Sequence, residues 1–502
     1  MQPDVIIVGG GSAGAVLAAR LSADGNRHVL LMEAGPAYQP RQFPAILADA
    51  NLVGGDADHD WGYLSEPGYV GHPIHVVRGK VLGGSSAVNG AVALRARATD
   101  FLRWSQNGLE GWSFEEVLET FKRLENTPTG HDAWHGRHGP FPIRQRSMAS
   151  LTPSLRAFVE AAGAVGLQRI DDFNAAAQNG VGPYPLNVAD GVRQNTGIVY
   201  LTDEVRCRSN LTIRGEVQVD RVIVEGGHAR GVRLVDGSVE RGTTAILSAG
   251  VYGSPAILLR SGIGPANDLR ALGIPVIADL PVGRQLMDHP FYYNVYALAR
   301  QASGVEPAAG ALIWTSSAEA APGELDLQVS ATHYAPPPSP TGGAIVLGVA
   351  VTRPDSIGTV TLASPDPRQA PRIDLNFLAE ARDRRRLLEG AKLSRTLGRT
   401  SPFAELAALE MFPGPKVQDD EGLMAAIRST LDTYQHGTST APMGSEQDAS
   451  AVVDWLGAVR GVEDLRVIDA SIFPDIPSTP TNLTVIMAAE HIAARMMARN
   501  LI

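Results

Sequence analysis

Three glycines and an acid near the N-terminus are spaced to hold a dinucleotide. Gly9, Gly11 and Gly14 follow the apolar run Val5–Val8 at G-x-G-x-x-G spacing. Ala15, Val16, Leu17, Ala19 and Leu21 then recur at helical spacing, His28–Met32 makes a second apolar run, and Glu33 follows it. The order is strand, tight turn, helix, strand, acid. Glycines let such a turn close and bring backbone N–H groups, including those of Ser12 and Ala13, up to a pyrophosphate at a helix N-terminus. Glu33 stands 19 residues beyond Gly14, where a carboxylate can accept hydrogen bonds from a ribose. In a chain with 53 glycines the triplet alone is weak. The flanking strands, helix and acid raise it above an ordinary glycine turn. An acid at Glu33 favours a free ribose 2′-hydroxyl, hence FAD or NAD over NADP.

A second glycine-rich run, Arg78–Gly90, contains Gly79, Gly84, Ser85 and Asn89. It is too polar for core and too rich in glycine for a helix. Two readings stay open: a backbone lying against a ligand, or a flexible surface loop.

The twelve histidines include candidates for acid–base work. Taken alone, neither His436 nor Asn482 stands out from satisfied structural polar groups. His131, His135 and His138 are spaced for one helix face, but Gly130, Gly136, Gly139 and Pro140 argue for a loop, and a solvated loop is preferred to a metal site. Asp288–His289 reads as structural, and Arg382–Arg386 as a solvated helix start.

These residues need a scaffold. Helices are expected over 114–124, with Ser113 as N-cap and Glu116 completing a capping box, and over 154–165, 254–259, 384–397 and 482–497. From Asn210 the alternation Leu211, Ile213, Val217, Val219, Val222, Val224 predicts a small antiparallel unit, with Val232 and Leu234 after the Gly226–Gly227 turn. Residues 245–250 read as a buried strand entering a glycine turn. Between 290 and 430 the pattern changes to alternating strands (325–329, 345–351, 359–362) with proline-rich breaks such as 335–338. Residues 465–469 read as a final strand. The fold class is α/β with an α+β second domain: a Rossmann-like dinucleotide domain and a discontinuous antiparallel-sheet substrate domain. The first takes 1–150, 201–290 and 431–502; the second takes 151–200 and 291–430.

A chain of 502 residues is too long for one ordinary core. A net charge of −10 argues against nucleic acid or an anionic membrane as the main partner. No apolar run reaches the roughly 18 residues that span a bilayer. The first strand begins almost at once, so no signal peptide is expected, and Cys207 is the one cysteine. A cytoplasmic enzyme without a metal is the simplest expectation; oligomeric state is left open.

Taken together, the stretches resemble the glucose–methanol–choline (GMC) oxidoreductase family of FAD enzymes. The likeness rests on the Gly9/Gly11/Gly14/Glu33 unit, on Gly79–Asn89, on Gly250–Gly264, and on two C-terminal pieces, Tyr434–Gly444 and Ile468–Asn482. It covers nearly the whole chain. The resemblance implies that Glu33, beside Ala34, holds the adenosine ribose and that Val219 meets adenine through its backbone. It puts Trp61, Gly79, Gly84, Ser85 and the Asn89–Gly90 backbone near the pyrophosphate and flavin. It puts Asp469, Ala470 and the Asn482, Leu483, Thr484 segment near the isoalloxazine. It makes His436 and Asn482 the catalytic pair. Some positions depart from the family pattern: Ser439, Thr440 and Ala441 precede Met443–Gly444, and Val251 replaces a usually small residue. Where one family member carries a flavin-linked histidine, this chain has Val88, so FAD should be non-covalent.

Removing hydride from an alcohol leaves a protonated carbonyl unless the hydroxyl proton also departs. That hydroxyl is about as weak an acid as water, with a pKa of roughly 15.7. A positioned base is needed, and neutral imidazole is the usual one. The expected reaction is oxidation of a small primary alcohol, aromatic or furanic by preference, to the aldehyde, with proton abstraction, hydride transfer to flavin N5 and reoxidation by oxygen. The alternatives are a dehydrogenase passing electrons to a quinone or other carrier, and an FAD-containing lyase acting on cyanohydrins.

Overall fold

The computed structural model describes residues 2–334 and 336–502, so Ala335 of the proline-rich break lies outside the described residues. The dinucleotide unit forms as its pattern predicts: β1 (Val5–Val8), α1 (Gly14–Leu21) and β2 (Val29–Met32). Three more strands join them in parallel: β3 (Leu211–Arg214), β4 (Thr244–Leu247) and β5 (Leu465–Val467), in the spatial order β3-β2-β1-β4-β5. Helices α2 (Gly250–Arg260) and α3 (Asn482–Ala498) follow β4 and β5 in the chain. Every residue of β1 and β2 is buried, which is why they read as unbroken apolar runs rather than alternations.

The antiparallel unit starts later than the alternation implies. Leu211–Arg214 is β3, paired in parallel with β2. It is an edge strand with only Leu211 fully buried, and one-sided burial imitates an antiparallel pattern. The antiparallel unit itself is Val219–Glu225, His228–Leu234 and Val239–Arg241.

A second, seven-stranded sheet is antiparallel throughout. Its order is Ala407–Phe412, Pro290–Leu298, Ala344–Val351, Leu327–Thr332, Ala311–Thr315 and Gly180–Pro183, with Asp432–Thr433 also pairing with Pro290–Leu298. Gly180–Pro183 thus carries part of the 151–200 segment into the sheet built by residues after 290. Thr359–Thr361 does not join it but pairs with Arg372–Asp374.

Helix α2 begins at Gly250, not Ser254, and holds Pro255 inside it. Pro255 lacks the N–H that would bond the Val251 carbonyl. The Thr440 hydroxyl donates to that carbonyl instead, at 2.7 Å. Two of the family departures, Val251 and Thr440, therefore meet, through the backbone carbonyl of one and the hydroxyl of the other. The capping box on Phe114–Leu124 is present, with Glu116 N donating to Ser113 Oγ.

Candidate active site

The parallel strands end on one edge, and the site starts there. Gly9 leaves β1 at φ +95°, a conformation that costs glycine little. A Cβ on Gly14 would lie 1.9 Å from Gly9 O, so α1 sits this close to the strand end only because Gly14 has none. Glu33 follows β2 and turns its carboxylate back under the turn. Oε2 accepts from Gly10 N and Oε1 from Gly35 N, each at 2.8 Å. Burial pushes this carboxyl up to about 7, against those N–H groups and the Lys80 charge.

The second glycine run lies against the first. Gly83 N donates to Gly10 O at 2.7 Å, and a Cβ on Gly84 would lie 2.7 Å from Gly11 Cα. Ser85 Oγ accepts from Gly79 N at 3.2 Å, and Gly84, Ser86 and Ala87 are buried. Of the two readings left open for this run, the structure favours the close-approach backbone.

A cavity of about 1360 Å³ connects these pieces. From the first unit, Gly9, Gly11, Ser12, Ala13, Glu33 and Ala34 line it. Gly79, Gly84, Ser85, Asn89 and Gly90 line it from the second, and Trp61 from the segment before it. Val219, Asp469, Ala470, Asn482 and His436 close it from later segments. Three residues expected at the cofactor are not on its wall. Gly14 lies beneath the turn, Leu483 is buried in the core, and Thr484 Oγ1 accepts from Ala96 N at 3.1 Å. The reason is helical: α3 turns successive side chains to different sides, and Asn482 takes the cavity side.

Asp469 reaches the cavity but its carboxylate is spent on protein. Oδ2 accepts from Gly250 N and Ser254 Oγ, Oδ1 from Ser471 N and Ser471 Oγ, at 2.5–2.8 Å. It fixes the start of α2 against the turn after β5.

His436 is held by a buried hub. Asp288 Oδ1 accepts from both His289 N at 2.7 Å and His436 N at 2.8 Å, and Oδ2 accepts from Thr433 Oγ1 at 2.7 Å. The two imidazoles then meet edge to face, Nδ1 to Nδ1 at 3.0 Å with an 86° interplanar angle. Burial, with His289 and Arg78 adding to it, holds His436 well below the ordinary histidine value, so its ring is neutral at pH 7. Burial likewise pushes His289 down to about 3. The sequence reading of Asp288–His289 as merely structural missed this contact. A dipeptide 147 residues from His436 offers no local signal of it.

Around His436 the wall is aromatic. Tyr434 stacks flat on Phe291, with centroids 4.1 Å apart and planes 5° apart, and lies 4.4 Å from the His436 ring. Gln328 Nε2 donates to Tyr434 Oη at 2.9 Å, and Tyr293 Oη donates to Asp432 Oδ2 at 2.9 Å. Asn482, the first residue of α3, accepts from Ser12 Oγ through Oδ1 at 2.8 Å.

The histidine cluster goes elsewhere. His135 bridges Glu125 Oε1 (3.1 Å) and Asp172 Oδ2 (2.7 Å), and His131 Nδ1 accepts from Ala133 N.

These residues fit FAD. The cavity exceeds the roughly 300–1000 Å³ of ordinary ligand pockets. A buried carboxylate stands beneath the glycine turn, paired glycine backbones approach within van der Waals contact, and a neutral imidazole lines the same space.

The GMC oxidoreductase family models match residues 3–291 with the N-terminal part and 354–489 with the C-terminal part. An oxygen-dependent choline dehydrogenase of Photobacterium profundum is 34% identical over 526 residues, covering 98% of this chain and 92% of its own. One from Yersinia pestis is 36% identical over 542 residues, covering 99% of this chain and 94% of its own. Among solved structures, pyridoxine 4-oxidase from Mesorbium loti superposes with a TM-score of 0.90 at 32% identity, over 99% of each chain. The sequence motifs, the site they build and these matches agree: the chain belongs to the GMC oxidoreductases, FAD enzymes that oxidise alcohols.

Proposed function

We propose that the protein oxidises a small primary alcohol, aromatic or furanic by preference, to the aldehyde, with oxygen as electron acceptor and FAD held non-covalently. The observation that carries this reading is His436. It is a neutral, half-buried imidazole on the wall of the same cavity as Glu33 and the glycine turns.

FAD supplies the hydride acceptor. His436 takes the hydroxyl proton; a neutral ring is already the form that can accept it. Asn482 orients the reacting groups. Its Oδ1 is engaged by Ser12, so its amide acts as a donor toward the cavity. Phe291 and Tyr434 offer a flat apolar face beside the base, which suits a planar substrate. Asp432 lines the cavity, but burial raises its pKa and Tyr293 occupies one oxygen, which disfavours a cationic alcohol such as choline. Val88 lies on the cavity wall, where an isopropyl group can form no flavin bond.

The division into an FAD domain and a substrate domain at the boundaries given above belongs to the same proposal. A panel of aromatic, furanic, aliphatic and quaternary-ammonium alcohols, run with oxygen and with dye acceptors, tests it. Turnover of choline alone, or of dyes without oxygen consumption, would overturn the substrate or the acceptor assignment.

A further inference from the structure

We infer that His289 is a positioning residue that fixes the tautomer of His436 and so leaves His436 Nε2 as the proton acceptor. The inference rests on His436 being the base.

The two rings meet through Nδ1 atoms 3.0 Å apart, so one nitrogen donates and the other accepts. The His289 surroundings decide which. Its Nε2 is fully buried and makes no hydrogen bond of ordinary geometry. Burial and the Arg353 charge disfavour a proton on this ring, while the Asp100 charge and the backbones of Pro477 and Thr352 favour one. Pro477 has no N–H, so its contribution is a carbonyl oxygen. With Nδ1 taken up by His436, Nε2 is the ring nitrogen left for that carbonyl, and an N–H there is favoured over a buried lone pair. The His289 proton therefore sits on Nε2, and its Nδ1 carries the lone pair. His436 Nδ1 must then donate, which leaves the second ring nitrogen of His436 without a proton. That nitrogen is not among the buried unpartnered atoms, and the ring lines the cavity. In the opposite arrangement His436 would present an N–H to the alcohol and could take no proton from it. Asp288 supports the choice by pinning both backbones to one oxygen, which holds the rings at bonding distance.

The test uses two substitutions in the FAD-loaded enzyme. Asn carries an acceptor oxygen near the place of the imidazole Nδ1; Leu carries none. His289→Leu should slow flavin reduction by alcohol by at least about tenfold, since a wrongly set tautomer can cost a catalytic histidine up to about 10⁴-fold. His289→Asn should recover most of that loss. Equal rates in the Leu and Asn variants would overturn the inference, whether both are slow or both match wild type. Nitrogen-15 NMR of histidine-labelled wild-type holoenzyme gives a readout independent of turnover and of how His289→Leu folds. The His436 signals are assigned by their loss in His436→Gln. A protonated Nδ1 with a bare Nε2 on His436 is the expected result; the reverse would sink the idea. A fast His436→Ala enzyme would instead refute the base itself, so the two failures are told apart.

Discussion

The Ser12 hydroxyl donates to Asn482 Oδ1 at 2.8 Å and joins positions 470 residues apart. Ser12 sits in the turn after β1, and Asn482 opens α3. The bond ties the glycine turn to the residue proposed to orient the reacting groups, so the two should act as one unit. Asn482→Ala should slow flavin reduction without changing its pH dependence, because an amide does not titrate. Ser12→Ala should lower the same rate by about 2- to 10-fold, the scale of one neutral hydrogen bond. In the double variant Ser12→Ala should add little to Asn482→Ala. Fully additive losses in this cycle would mean that Ser12 does not act through Asn482.

The sequence disclosed most where chemistry is local. The β1–α1–β2 unit needs adjacent residues in fixed order, and Glu33 lies within it. The second glycine run was ambiguous because its partners, Gly10 and Gly11, lie far away in the chain, and the Gly83–Gly10 bond and the close approach of Gly84 to Gly11 resolve the choice. Leu211–Arg214 misled because an edge strand shows one-sided burial in either direction of pairing. Pro290–Leu298 escaped notice because nearly all of it is buried, which erases the alternation. His289 was passed over because its role depends on a ring 147 residues later.

Glu33 should couple FAD binding to a proton. Its carboxyl is raised to about 7 by burial. It is already 5% exposed, so a ligand adds little further desolvation. Ribose hydroxyls donate to the charged form, which pulls the pKa down on binding. FAD affinity should therefore weaken as pH falls through about 7, with proton release on binding near that pH. Glu33→Arg removes the acceptor and should reduce FAD occupancy after dialysis; charged hydrogen bonds of this kind are worth about 1.5–3 kcal/mol. Calorimetry in buffers of different ionisation heat measures the proton, and pH-independent binding would contradict the role given to Glu33.

The flavin should come away from denatured protein. Val88 lines the cavity, and its side chain has no atom that can be alkylated by a flavin. Acid precipitation should leave a yellow supernatant and a colourless pellet. Flavin retained in the pellet would point to another attachment residue.

The last prediction concerns the acid limb of the alcohol rate. A histidine acts as base only while a ring nitrogen keeps its lone pair. Burial, His289 and Arg78 all disfavour the protonated ring of His436, and its pKa lies well below 6.5. The sign follows directly: the neutral, competent form predominates at neutral pH and is lost only as pH falls through that lowered value. Anaerobic flavin reduction by alcohol should thus be flat around and above neutrality and should drop only in distinctly acid buffer. An inflection at the ordinary histidine pKa of roughly 6.5 would mean that the ring is solvated in the working enzyme, or that another group titrates. His436→Ala should slow reduction by roughly 10²–10⁴-fold, the usual contribution of a positioned base, and should abolish the acid limb. Its FAD content should be unchanged, since the carboxylate and glycine turns assigned to the cofactor are untouched. Stopped-flow traces taken across a pH series give the rate and its acid limb, and the starting flavin absorbance gives the FAD content. If the His436→Ala flavin bleaches at the wild-type rate, the proton leaves by another route and the base lies elsewhere on the cavity wall.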